Sequence, residues 1–136
     1  MQQSLKISLA QFRITKFQKK RLLHPNAPQN ATGILNGDGS ISVSWDAVVG
    51  AKSYVTHYAE ANQSDPHQAV FMGYSEQNSW TLAADDVPVL VEGDKIYIYI
   101  QTFTEKGVGA DDIAKAAYLN ENKLGSAWSK AVILTK

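Results

Sequence analysis

The chain has 136 residues, no cysteine and a formal net charge of zero at pH 7. A chain of this length buries roughly two thirds of the surface that its unfolded form exposes, so one domain can fold without disulfides or metal staples. The missing cysteines and the missing signal-peptide-like apolar run lead us to expect that the chain stays in the cytosol. No segment is long and apolar enough to predict a membrane span.

Charge is divided unevenly along the chain. Residues 1–26 carry six bases and no acid, whereas residues 27–136 carry 7 bases and 13 acids. The sequence therefore predicts a basic arm of charge +6 in front of an acidic body of charge −6. Such an arm either lies on its own body or reaches an acidic surface on a partner. Nucleic acid is a poor candidate partner, because the bases lack a glycine-rich or aromatic context.

The arm has apolar residues at strand spacing. After a one-residue slip near Ala10 the alternation resumes, which is typical of a bulge or bend. A strand with so many apolar residues must pair with the edge of a sheet, either in its own body or in a neighbouring subunit. The six large apolar residues of the arm are Leu5, Ile7, Leu9, Phe12, Ile14 and Phe17.

Pro25 and Pro28 end this pattern and mark a linker. We predict that residues 1–26 form an arm exchanged with a neighbouring subunit; folding back onto its own domain is the alternative. The arm residues expected to contact a partner are Phe12, Ile14, Lys19, Lys20 and Arg21.

The body contains seven strand patterns separated by turn residues. In the second pattern, Ile41, Val43 and Trp45 alternate with serines, so these three side chains are expected in the core. The stretch Asn36–Gly39 predicts a tight hairpin turn and not a calcium loop, because the further acidic ligands of such a loop are missing. The predicted strands cover residues 29–35, 41–45, 54–58, 69–74, 79–82, 95–104 and 127–135.

The sixth pattern is the strongest. Its three isoleucines, Ile96, Ile98 and Ile100, predict a central core strand. Tyr97 and Tyr99 fall on the opposite face, which we expect to be wet or to bind a partner. Together with Trp80 they are candidates for a glycan-stacking platform, although Trp80 in the core is the alternative. The candidate glycan-binding residues are therefore Trp80, Tyr97 and Tyr99.

A short helix is predicted between the last two strands. Asp111 or Asp112 supplies an N-cap, the alanine-rich stretch 113–119 follows, and Asn120 or Asn122 ends it. About nine residues do not form a stable helix alone, so the helix must dock on the rim of the sandwich or on a partner. The expected docking residues are Ile113, Ala117 and Leu119 or Tyr118, and Ile113 and Tyr118 are candidate partner contacts.

Catalytic chemistry has little support in the sequence. His24, His57 and His67 are scattered and lack a neighbouring nucleophile motif. Without cysteine, a metal site would require all three histidines and a carboxylate to converge. We therefore predict no enzyme activity, no cofactor and no metal.

From Pro28 to Lys136 the sequence resembles a fibronectin type III domain. The block Gly39–Asp46 resembles the second strand of that family with its core tryptophan. The stretch Gly125–Ser129 resembles its last strand in the form common in bacterial and phage copies. Two departures stand out. The position of the family's corner tyrosine before the sixth strand falls on Ile96, so its side-chain hydrogen bond is either absent or made by Tyr97 in a shifted register. Residues 106–124 hold a helix where the family has a short loop.

The resemblance implies an all-β, Greek-key β-sandwich of about seven strands over residues 27–136, with the arm in front and the short helix before the last strand. By analogy of fold, we interpret the chain as a structural protein of a phage or prophage virion, such as a capsid decoration, neck or tail protein. Its partners would be other virion subunits or further copies of itself. The alternative is a carbohydrate or cell-surface binding module.

Overall fold

The computed structural model describes residues 25–136, which form two antiparallel sheets packed face to face. Most of the predicted arm lies outside the described residues. The same holds for five candidate partner contacts, namely Phe12, Ile14, Lys19, Lys20 and Arg21. The arm and the division of the chain after residue 26 therefore stay predictions.

Seven strands and one inserted helix make up the sandwich. One sheet has three strands in the order β1-β2-β5, and the other has four in the order β4-β3-β6-β7. The helix α1 lies between β6 and β7 in the chain, as predicted. The bounds are Thr32–Leu35 (β1), Ile41–Ser44 (β2), Ser53–Tyr58 (β3), Val70–Ser75 (β4), Ser79–Leu82 (β5), Lys95–Phe103 (β6), Asp112–Asn122 (α1) and Val132–Thr135 (β7).

The last strand is shorter than predicted, and serine side chains are the reason. It begins at Val132 and not at residue 127. Before it, Ser126 and Ser129 donate their backbone N–H groups to Thr102 and Ile100 of β6, at 2.9 and 2.8 Å. Their hydroxyls accept the N–H groups of the same two residues, at 2.9 and 3.0 Å. Side-chain oxygens thus replace backbone carbonyls, and the segment pairs with β6 outside a regular ladder.

The hairpin predicted at Asn36–Gly39 is present. The backbone N–H of Asn36 donates to the carbonyl of Ser40 at 2.8 Å, and β1 pairs antiparallel with β2. Gly39 has a φ of 93°, in the left-handed region that only glycine adopts at little cost. In the part of the chain that the structure describes, no helix has the length and apolar character needed to cross a bilayer.

The core between the sheets contains the residues that the alternation predicts. Ile41, Val43, Ile96 and Ile98 are buried there, together with Trp45, whose side chain is 3 % exposed. The ring of Tyr54 meets the indole of Trp45 edge-on, with centroids 5.1 Å apart. Edge-to-face contact is favourable because the positive edge of one aromatic ring meets the negative face of the other. Trp45, directly after β2, thus packs against Tyr54 of the four-stranded sheet.

Replacing Trp45 with alanine should remove its buried ring contact with Tyr54 of the other sheet. We expect the free energy of unfolding to fall by about 3 to 5 kcal/mol, as for other buried large aromatic residues. Chemical denaturation followed by circular dichroism measures this change. A loss below about 1 kcal/mol would contradict the inter-sheet position of Trp45.

Candidate functional site: an apolar groove beside the inserted helix

Helix α1 packs on the outer face of the four-stranded sheet. Leu119, which is fully buried, and Ala116 contact a second apolar cluster separate from the core between the sheets. The strands contribute Val55, Tyr74 and Phe103 to this cluster. The side of the sheet opposite the core is therefore also covered by apolar packing, and the inserted helix is part of the folded domain.

Local contacts explain why the helix forms and where it docks. The Asp111 side chain accepts the N–H of Ala114 at 2.8 Å, which confirms the predicted N-cap. Before the helix, the N–H of Gly107 donates to the Tyr74 hydroxyl at 2.8 Å. A Cβ atom at Gly107 would lie 2.5 Å from the Cβ of Lys115, so only glycine permits this close approach. The insertion is thereby fixed to β4 at its start.

The prediction of the docking residues is partly wrong. Leu119 is buried as predicted, and Tyr118 packs partly against the second cluster. Ile113 is 67 % exposed, and Ala117 is exposed as well. The helix is rotated relative to the prediction, because the neighbouring face of the sheet receives Ala116 and Leu119. The helix also covers the face of the sheet and not the rim of the sandwich.

An apolar groove lies between α1 and the sheet. The groove has a volume of about 340 Å³. Its floor includes Val55 and Phe103, one wall is formed by Ile113 and Ala117 of the helix, and Trp128 lines the opposite side. Val70 at the start of β4 also lines the groove and is 60 % exposed. The groove therefore presents exposed apolar side chains at the surface.

An aromatic stack forms the Trp128 side of the groove. The ring of Trp128 lies nearly parallel to that of His57, with centroids 4.3 Å apart and planes inclined by 14°. It also contacts Tyr99 at a centroid distance of 5.3 Å. The Nε2 atom of His57 is buried without a hydrogen-bond partner among the described residues. This wall is thus largely apolar, although it contains an imidazole.

Burial controls the charge of this wall. Burial lowers the pKa of His57 from 6.5 to about 4, while the neighbouring Gln101 side chain acts in the opposite direction. At neutral pH the imidazole is therefore uncharged. A neutral ring stacks on Trp128 without the cost of burying a cation, so the groove has apolar walls at neutral pH.

The three aromatic residues proposed for glycan stacking do not lie together. Trp80 of β5 is opposite the buried Val43 in the register and packs against the core, where its indole comes so close to Gly73 that a Cβ atom there would lie 2.2 Å from it. Tyr97 and Tyr99 belong to the other sheet. Tyr99 is only 5 % exposed because Trp128 covers it, so the expectation of an open face around Tyr99 is wrong. The platform of three rings is not formed.

The groove itself was not predicted from the sequence. The sequence presents His57 only as one of three scattered histidines, and it assigns Trp128 to the last strand. One signal could have found the site. The face of β3 and β6 away from the core carries Val55, Tyr99 and Phe103, and apolar residues on both faces of neighbouring strands indicate that both faces are covered.

No metal site accompanies the groove. Within residues 25–136, no three His, Asp or Glu side chains lie close enough together to hold a metal ion. The groove lining offers apolar contact and ring stacking, together with the amide side chains of Gln101 and Asn120.

Leu119→Ala should destabilise the domain, because the side chain anchors α1 on the second cluster. We expect the free energy of unfolding to fall by about 2 to 5 kcal/mol. Ile113→Ala on the exposed side of the same helix is the matched control and should change it by less than about 0.5 kcal/mol. Denaturant titration measures both. Equal effects of the two changes would show that the helix does not dock as described.

Stability should fall in mild acid because of His57. Its pKa is lower in the folded state, so between pH 6.5 and about 4 the unfolded chain binds more protons. The stabilisation that depends on an uncharged His57 is fully present above pH 6.5. It is lost as pH falls to about 4, by up to about 3 kcal/mol. His57→Phe removes this titration and keeps an aromatic ring. The stability difference between wild type and variant should therefore shift in favour of the variant from pH 7 to pH 4, and a constant difference would contradict the assignment.

Comparison with known proteins identifies the fold. No family model matches the sequence, and no curated protein matches it. Several solved structures are similar. An Fn3-like protein from Clostridium thermocellum superposes with a TM-score of 0.55 at 16 % identity, covering 82 % of this chain and 92 % of that one. The FN5 domain of Drosophila Lar gives 0.51 at 17 % identity, covering 82 % and 96 %. A chain of a cytokine receptor complex gives 0.55 at 18 % identity, covering 85 % and 54 %. Residues 25–136 therefore have the fold of a fibronectin type III domain.

Proposed function

We propose that this chain is a non-enzymatic assembly protein that binds other protein subunits through the groove beside α1. The observation that carries the proposal is the exposure of Ile113 and Val70 at an apolar groove that is open on the surface. Large apolar side chains at such a concave site are typical of surfaces that bind a partner. The basic arm supplies a second contact region, as the sequence predicts.

The nature of the surrounding surface supports a protein partner. Residues 25–136 carry 13 acids and 7 bases, so the body is acidic and complements a basic partner segment. Exposed acidic residues lie at both ends of the helix, with Asp111 before Ile113 and Glu121 after it. An apolar site with a charged rim is the usual arrangement of a protein interface.

We further propose that the assembly is a phage or prophage virion, with the chain as a capsid decoration, neck or tail protein. The support is the resemblance of Gly125–Ser129 to the last strand of bacterial and phage fibronectin type III copies. This step rests on analogy of fold and sequence pattern. Glycan binding has less support, because Trp80 packs against the core and Trp128 covers Tyr99.

Sedimentation velocity of the full-length chain over a concentration series tests the proposal. We expect reversible association, and Ile113→Asp should raise the dissociation constant more than tenfold because it places a charge at the apolar groove. Val49→Asp is the matched control, since Val49 is 98 % exposed on the loop between β2 and β3. It should change the constant less than twofold.

A monomer at every concentration, combined with selective binding on a glycan array, would contradict this function and favour the carbohydrate-binding alternative. Equal weakening by Ile113→Asp and Val49→Asp would contradict the location of the interface.

A further inference from the structure

We propose that the groove beside α1 binds the N-terminal arm of a second copy of this chain, with Phe12 and Ile14 inserted between the helix and Trp128. This inference rests on the proposed assembly function and names the partner segment. It follows from the shape of the groove, from charge, and from the place where the described chain begins.

The groove fits a short apolar strand. Phe12 and Ile14 are separated by one residue, so in an extended segment both side chains point to the same side, about 7 Å apart. The groove has apolar residues on its floor and on both walls, within a volume of about 340 Å³. Exposed Ile113 and Val70 line it and would cover the inserted side chains. The arm thus offers the apolar groups that this site lacks.

Charge supports the same pairing. The arm carries six bases, and three of them, Lys19, Lys20 and Arg21, follow directly on its apolar part. Asp111 and Glu121 lie beyond the two ends of the stretch of α1 that lines the groove. Among residues 25–136 the ion pairs are His67 with Asp65 and Lys106 with Glu76, so neither of these two acids is ion-paired there. The Asp111 carboxylate also caps the helix, and both acids are exposed to an incoming basic segment.

The start of the described chain favours a second copy over the chain's own arm. Asn26 lies against residues 46–49, and Ala27 to Ala31 lie along Trp128 and the residues after it. Trp128 lines both the pocket beside residues 27–31 and the groove. A return would have to turn back at Pro25, whose fixed φ restricts such a turn. Extended, 24 residues span about 80 Å, which is enough to reach a neighbouring molecule.

Cross-linking in the full-length chain tests this directly. A photoreactive benzoylphenylalanine replaces Ile113 in one variant and, in a control variant, Val89, which is 90 % exposed on the loop before β6. Each is prepared with ¹⁴N and with ¹⁵N, and the two preparations are mixed in equal amounts and irradiated before mass spectrometry. We expect Ile113 to cross-link to peptides containing residues 12–17, with arm and groove of different isotopes in about half of the products. The Val89 variant should yield none.

Two outcomes would overturn the inference. Arm cross-links that always carry the isotope of their own groove would show that the arm folds back within one chain. An absence of arm cross-links, in a protein whose association is still weakened by Ile113→Asp, would show that the groove binds another surface; the assembly function would then stand without this occupant. As an independent measure, Phe12→Asp should raise the dissociation constant at least tenfold, whereas Gln2→Asp should not.

Discussion

The packing of Leu119 and Ala116 against Val55, Tyr74 and Phe103 is the contact on which the candidate site depends. An antiparallel sheet usually packs one face on the core and exposes the other to water. Here the second face of the four-stranded sheet is also covered, because the segment between β6 and β7 folds back over it. The domain therefore has two apolar layers on one sheet, and the groove lies where the second layer ends.

This arrangement explains why the insertion cannot be treated as a passive loop. Removing it would expose Val55, Tyr74 and Phe103 to water, at a cost of about 25 cal/mol for each Å² of apolar surface. The same contacts position Ile113 at the surface, since a helix that buries Ala116 and Leu119 must present other residues outward. Stability and binding thus use different sides of one helix, so they can be separated by substitution.

Much of the fold could be predicted from the sequence because strand alternation reports directly on burial. The serines between Ile41, Val43 and Trp45 placed these three residues in the core, and the inserted helix was located by its N-cap at Asp111. The orientation of the helix could not be predicted in the same way. Its sequence is rich in alanine, and alanine offers little preference between two faces. Ile113 was therefore assigned to the buried side, where Ala116 lies instead.

The site depends on contacts between residues far apart in the chain. Trp128 covers Tyr99 and stacks on His57, yet no local pattern links these three positions. The irregular pairing of Ser126 and Ser129 with β6 places Trp128 there, and hydroxyl groups leave no periodic signal. For the same reason the three candidate glycan residues did not converge, since register and sheet order decide which face a side chain occupies.

Hydrogen exchange on the full-length protein tests the central claim, that the groove beside α1 is the contact surface. Exchange is followed by mass spectrometry at concentrations well below and well above the association midpoint. The account predicts that protection on association is concentrated in peptides covering residues 69–71 and 113–120, with little change in residues 46–50. Protection confined to other parts of the surface, such as the exposed loop at residues 87–91, would contradict it.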